Sequence, residues 1–180
     1  MLDFFLRPSH FFSLDAAARY RFFNQPLLHV PQVRAWSETP VLFACRLVCR
    51  PELVDRLLAL AGGGGGLGRT NSLGWGPVHC VAASPLSGQA LRDSATRLIR
   101  HLAGKGCGLM DRAAIDHGNT PAHLAAELDR VDILDHLAVL TGGDCLHREN
   151  HRGLTPIQLV VMKRRTCAQV FRYLRDLKLT

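Results

Sequence analysis

A proline that follows threonine or glycine returns four times along the chain, at Thr39-Pro40, Gly76-Pro77, Thr120-Pro121 and Thr155-Pro156. The intervals between these prolines are 37, 44 and 35 residues. Each proline opens the same short pattern: Pro40-Val41-Leu42-Phe43-Ala44-Cys45, Pro77-Val78-His79-Cys80-Val81-Ala82, Pro121-Ala122-His123-Leu124-Ala125-Ala126 and Pro156-Ile157-Gln158-Leu159-Val160-Val161. The order is proline, apolar, variable, apolar, small, small. Proline suits the first position of a helix, where its missing N–H costs no hydrogen bond, and the threonine before it can cap that helix. Four helix starts in register therefore constrain the fold to a stack of similar units, none of which can bury its own apolar faces alone.

The third unit is the most regular. Thr120 is placed to cap a first helix, and Ala125 and Ala126 let a neighbouring helix approach closely. Ile133, Leu134 and Leu137 form an apolar stripe on a second helix, which Gly142 can end in the left-handed conformation. The run Asp116-His117-Gly118-Asn119-Thr120-Pro121-Ala122-His123-Leu124-Ala125-Ala126, with Gly142-Gly143-Asp144 after it, resembles an ankyrin repeat. The resemblance implies an all-α fold: an ankyrin-repeat solenoid of about four helix-turn-helix units at residues 36–69, 71–115, 116–150 and 151–180. An N-terminal capping or docking segment at residues 1–35 precedes them.

That segment holds six of the eight phenylalanines and Tyr20. Ser13 can cap a helix over 14–24, ended by Pro26. Its aromatic residues read as a lid over the first unit, as solenoids require, or as a docking arm for a partner. In the first unit Pro51 starts the second helix. The run Gly62 to Gly66 lacks the Gly-Lys-Ser/Thr ending of a phosphate-binding loop and reads as a lengthened connection. In the second unit Gly76 replaces the capping threonine, which weakens the helix start by about 1 kcal/mol. Ala83 to Asp93 reads as an inserted surface loop, with the second helix resuming over 96–103. The fourth unit carries Gln158 in place of the repeat histidine and the larger Val160 and Val161 in place of paired alanines, as suits the end of a stack. Val170, Phe171 and Leu174 form its inward stripe.

Composition narrows the function. The chain has 47% apolar and 21% charged residues, and no apolar run long enough for a membrane span. Cys45, Cys49, Cys80, Cys107, Cys145 and Cys167 form no Cys-x-x-Cys pair and read as small packed hydrophobes in a reducing compartment. A cytoplasmic setting is expected, with nuclear entry left open, since Lys163-Arg164-Arg165 is too short for an import signal. The formal charge of +7 is uneven: residues 120–151 hold six acids, whereas residues 152–180 hold seven basic residues and Asp176. The best metal-ligand cluster, Cys145, His147 and His151, falls in a loop without a closing cysteine pair. His79 and His123 occupy the repeat's histidine position and read as structural. Asp129, Asp132 and Asp135 read as a solvated row. No nucleophile–histidine–acid pattern is present, so no enzyme and no cofactor are expected.

The resemblance implies a non-enzymatic module that binds another protein in the groove formed by its loop tips and inner helices. Carried over position by position, the contact residues are Trp36, Glu38 and Arg46 in the first unit and Leu73 and Trp75 in the second. His117, Asn119 and Glu127 follow in the third, and Arg152 and Lys163 in the fourth. Trp75, between Gly74 and Gly76 at a turn, reads as an exposed anchor. Within the superfamily the chain is similar to stand-alone, inhibitor-of-NF-κB-like ankyrin proteins, including short viral ones. It departs from the cellular members in lacking their acidic tail and degradation motif. A ubiquitin-ligase substrate adaptor recruited through the N-terminal segment is the alternative in the same class. A basic scaffold for nucleic acid or a membrane surface is the alternative in another class, one that the sequence argues against, as it does a small-molecule substrate.

Overall fold

Each of the four prolines begins a helix. In the computed structural model, which describes residues 38–61, 66–85, 89–113, 115–162 and 168–176, these inner helices are α1 (Pro40–Leu47), α3 (Pro77–Ala82), α5 (Pro121–Glu127) and α8 (Pro156–Met162). The partner helices are α2 (Pro51–Leu60), α4 (Gln89–Gly104), α6 (Val131–Leu140) and α9 (Ala168–Asp176), with one short helix, α7 (Asp144–His147), after α6. All regular structure among the described residues is helical. The expected capping helix over 14–24, with the rest of residues 1–35, lies outside the described residues.

Two rows result. Inner helix α1 packs on α3, α3 on α5 and α5 on α8; outer helix α2 packs on α4, α4 on α6 and α6 on α9. The core runs between the rows. Leu98, Ile99 and Leu102 of α4 and Ile133, Leu134 and Leu137 of α6 are fully buried, at helical spacing. Each such side chain contributes about 1.5–3 kcal/mol by leaving water. Ala122, Ala125 and Ala126 of α5 are also fully buried, so α5 touches neighbours on both sides with almost no side chain between. In α8 the larger Val160 is buried, while Ile157 and Val161 are exposed, as befits residues without a following helix among the described ones. Of the expected stripe on α9, Val170 is buried, and the side chains of Phe171 and Leu174 lie outside the described ones.

Helix starts follow the sequence closely. Leu42 N–H reaches the Thr39 hydroxyl at 3.4 Å. At α5, the Thr120 N–H donates to Nδ1 of His123 at 3.2 Å and its hydroxyl lies 2.7 Å from the same nitrogen. At α8 the Thr155 N–H donates to Oε1 of Gln158 at 2.8 Å, so the glutamine does the histidine's capping work. Gly76 gives α3 no side-chain cap, and that helix is the shortest of the inner row at 6 residues. Gly142 ends α6 with φ +61°.

The sequence reading and the structure part at two places here. The second helix of the second unit starts at Gln89, not Thr96, because Gln89-Ala90-Leu91-Arg92-Asp93 favours helix and Gln89 bonds Asp93 one turn on at 2.9 Å. The three acids do not all lie on α6, since Asp129 sits at positive φ in the turn before it, and they are not merely solvated. Asp129 accepts the Val170 N–H at 2.9 Å, Asp135 accepts the Tyr173 hydroxyl at 2.8 Å, and Asp132 pairs with Arg130 at 3.0 Å. Two of the three therefore dock α9 on α6 and the turn before it.

Candidate interaction surface

The loops that lead into α3, α5 and α8 form three adjacent fingers. An asparagine folds two of them: Asn71 Oδ1 accepts the N–H groups of Leu73 and Trp75, both at 3.0 Å, and Asn150 Oδ1 accepts those of Arg152 and Leu154 at 2.9 and 3.1 Å. Backbone bonds close each finger, Asn71 to Trp75 at 3.1 Å, Ala113 to Asn119 at 3.0 Å and Asn150 to Leu154 at 2.9 Å. Two more bonds join the fingers, from Asp116 N–H to the Leu73 carbonyl at 3.1 Å and from His151 N–H to the His117 carbonyl at 2.9 Å. Positive φ at His117, Gly118 and Gly153 turns the chain at the tips.

Beneath the tips runs a polar network. Asn150 donates its side-chain amide to Asn119 Oδ1 at 2.8 Å, Asn119 donates to Asp116 Oδ2 at 3.4 Å, and the Trp75 indole donates to the same oxygen at 3.1 Å. Two histidines tie the second and third fingers each to the helix before it. Nε2 of His79 meets the Asn119 carbonyl at 3.1 Å, and Nε2 of His123 meets the Leu154 carbonyl at 2.8 Å. Since Nδ1 of His123 accepts from Thr120, its proton sits on Nε2. Burial holds both imidazoles below their ordinary pKa, against the opposing pull of those carbonyls.

This geometry reassigns several of the expected contact residues. Trp75 is 7% exposed and Asn119 1%, and both serve the internal network. The turn lies at Ser72-Leu73, closed by the Gly74 N–H on the Asn71 carbonyl at 2.9 Å, and Gly76 is the extended residue before α3; the indole of Trp75 packs back onto the core. Glu38 is 0% exposed and holds Arg46 through two bonds, Nε to Oε1 at 2.6 Å and Nη2 to Oε2 at 2.8 Å. A carboxylate buried this deeply needs such a partner, so neither Glu38 nor Arg46 projects into a groove. Leu73 is half-buried against the core and Glu127 half-buried at the end of α5. Trp36 and Lys163 lie outside the described residues. His117 and Arg152 are exposed at the finger tips.

The structure adds two residues to those tips. His151 is exposed, its ring seated on Gly118 where no Cβ intervenes. Ile115 is 66% exposed and stands six residues before Pro121, where the adjacent fingers place the buried asparagines Asn71 and Asn150. That mismatch of residue type at one register position is the signal the sequence offers. Ile115, His117, His151 and Arg152 thus form an apolar point bordered by basic and imidazole groups on a hydrogen-bonded base.

The described cysteines are free thiols, and burial raises the pKa of each, most at Cys45 and Cys80. Among the described residues no three His, Cys, Asp or Glu side chains converge to hold a metal ion, and no helix is long and apolar enough to cross a membrane. No protein-family model matches the chain.

Proposed function

We propose that the chain is an ankyrin-type solenoid whose finger tips and inner row bind another protein, without catalysis, and occupy the surface that partner would use elsewhere. Inhibition of a signalling or transcription factor, in the manner of inhibitor-of-NF-κB-like proteins, is the specific form of this reading. Support comes from the two helix rows, the four aligned prolines and the cross-linked fingers. The observation that carries it is Ile115, a large apolar side chain 66% exposed, whose carbonyl accepts the His117 N–H on a finger that backbone bonds join to its neighbours. An apolar residue on a rigid base loses little conformational freedom when a partner covers it.

The test is affinity capture from cell extract with the wild-type chain and Ile115→Asp, each checked for an unchanged urea midpoint. Prey retained by the wild type at physiological salt and lost with Ile115→Asp supports the reading. Equal capture by both chains, or none by either, overturns it.

A further inference from the structure

The roots of the first two fingers described, below their tips, enclose a cleft of about 470 Å³. One wall is Leu67-Gly68-Arg69-Thr70, which leads into the second unit; the other is the segment from Lys105 to Arg112, which leads into the third. Pro77, Val78 and His79 at the start of α3 are buried and make the floor. The volume falls within the roughly 300–1,000 Å³ of ligand clefts.

Its charge is lopsided. Arg69, Lys105 and Arg112 line it against the single acid Asp111. Among the described residues neither Arg69 nor Arg112 meets a carboxylate. Arg112 gives its Nε–H to the Glu149 carbonyl at 2.8 Å, which orients the guanidinium and leaves its two terminal amino groups as a fork. Lys105 pairs with Asp55 at 3.0 Å, but the two side chains are 36% and 44% exposed, so water screens the pair and an incoming anion can share the ammonium. Glycine shapes the walls: the Asp111 carboxylate is seated against Gly108 where a Cβ would stand, and Gly68 and Gly106 present no side chain to the opening. A guanidinium fork beside a second guanidinium and an ammonium matches the oxygens of a carboxylate or phosphate group.

We propose that this cleft receives oxyanion side chains from an acidic segment of a partner polypeptide, the carboxylates of Glu or Asp or a phosphorylated residue. The proposal rests on the protein-binding reading above and names the chemistry of the partner. The acidic segment lies across the finger roots while the rest of the partner meets Ile115 and its neighbours at the tips.

The test uses the full chain and fluorescence anisotropy with four labelled probes: a hexaglutamate peptide, a phosphoserine peptide of equal charge, a hexaglutamine peptide, and an oligodeoxythymidine of equal charge. Binding of either acidic peptide but not hexaglutamine is expected, and the tighter of the two identifies the source of the oxyanion. Arg69→Glu with Arg112→Glu should weaken that binding by about tenfold or more, and the neutral pair Arg69→Gln with Arg112→Gln by a smaller factor. Asp111→Asn should tighten it. No binding by the wild type, binding unchanged in both arginine pairs, or preferential retention of the oligonucleotide through the same arginines overturns the proposal. Ile115→Asp separates it from the broader reading. Loss of captured prey with Ile115→Asp while no acidic peptide binds leaves only the cleft refuted; peptide binding without any capture refutes only the tips.

Discussion

The indole N–H of Trp75 donates to the carboxylate of Asp116 across 41 residues of sequence, at 3.1 Å, and the side-chain amide of Asn119 shares the same oxygen. One acid at a finger base thus satisfies donors from two units. Asp116→Ala removes the acceptor that both donors share below the tips, and losing a partly buried hydrogen bond of this kind costs about 0.5–1.5 kcal/mol. The urea midpoint should fall accordingly, while Asp116→Asn, which keeps an acceptor, should lose less. An unchanged midpoint for Asp116→Ala would remove the network from the account of stability.

Glu38 and Arg46 predict an asymmetry. Removing Arg46 leaves a fully buried carboxylate without its countercharge, a change that costs about 3–5 kcal/mol, whereas replacing both partners with apolar residues of similar size is often near neutral. Arg46→Met should therefore be more destabilising than the pair Glu38→Met with Arg46→Met. Thermal denaturation of the wild type, Glu38→Met, Arg46→Met and the pair decides the order, and additivity of the single changes would contradict it.

The buried histidines make stability depend on pH. His79 and His123 bind protons less readily in the folded chain than in the unfolded one, because burial lowers their pKa. The unfolded state then holds more protons below about pH 6.5, so stability is complete above that value and declines as pH falls toward the folded pKa. Melting temperature should drop between pH 7.5 and 5.5. His123→Gln, which copies the arrangement already present at Gln158, should flatten that dependence while keeping a cap on Thr120.

Gly118 and Gly142 separate two contributions. Both have positive φ, +70° and +61°, so alanine at either incurs the left-handed cost of about 1 kcal/mol. Only at Gly118 does the added Cβ also meet the His151 ring; at Gly142 nothing lies within 4 Å. Gly118→Ala should be the more damaging in a urea titration, and it should shift the His151 imidazole resonances as the ring is displaced.

The legible parts of this chain are those with a local cause. Proline at a first helical position fixes a helix start by backbone chemistry alone, so Pro40, Pro51, Pro77, Pro121 and Pro156 are readable one at a time, and their register indicates side-by-side packing. The contact residues are less legible because a register position says where a backbone lies and not which neighbour its side chain will meet. Trp75 and Asn119 look available until Asp116 and Asn150, 41 and 31 residues further along, are brought beside them. Glu38 and Arg46 look like two separate surface charges, although their spacing of eight residues spans two helical turns. Gln89 to Asp93 is masked by Pro85 and Gly88, whose turn signal outweighs a stretch that prefers helix. Ile115 is visible in principle, as an apolar residue in a slot that Asn71 and Asn150 fill with amides.

The imidazoles of His79 and His123 each belong to one hairpin yet grip the carbonyl that precedes the next. A change at either position is consequently felt in its successor as well as at home. Hydrogen exchange should report it there: His79→Ala should speed the amides around Asn119, and His123→Ala those around Leu154. Leu42 holds the matching place in the first hairpin and has no such grip to offer, so the hairpins differ in how they hand tension down the chain.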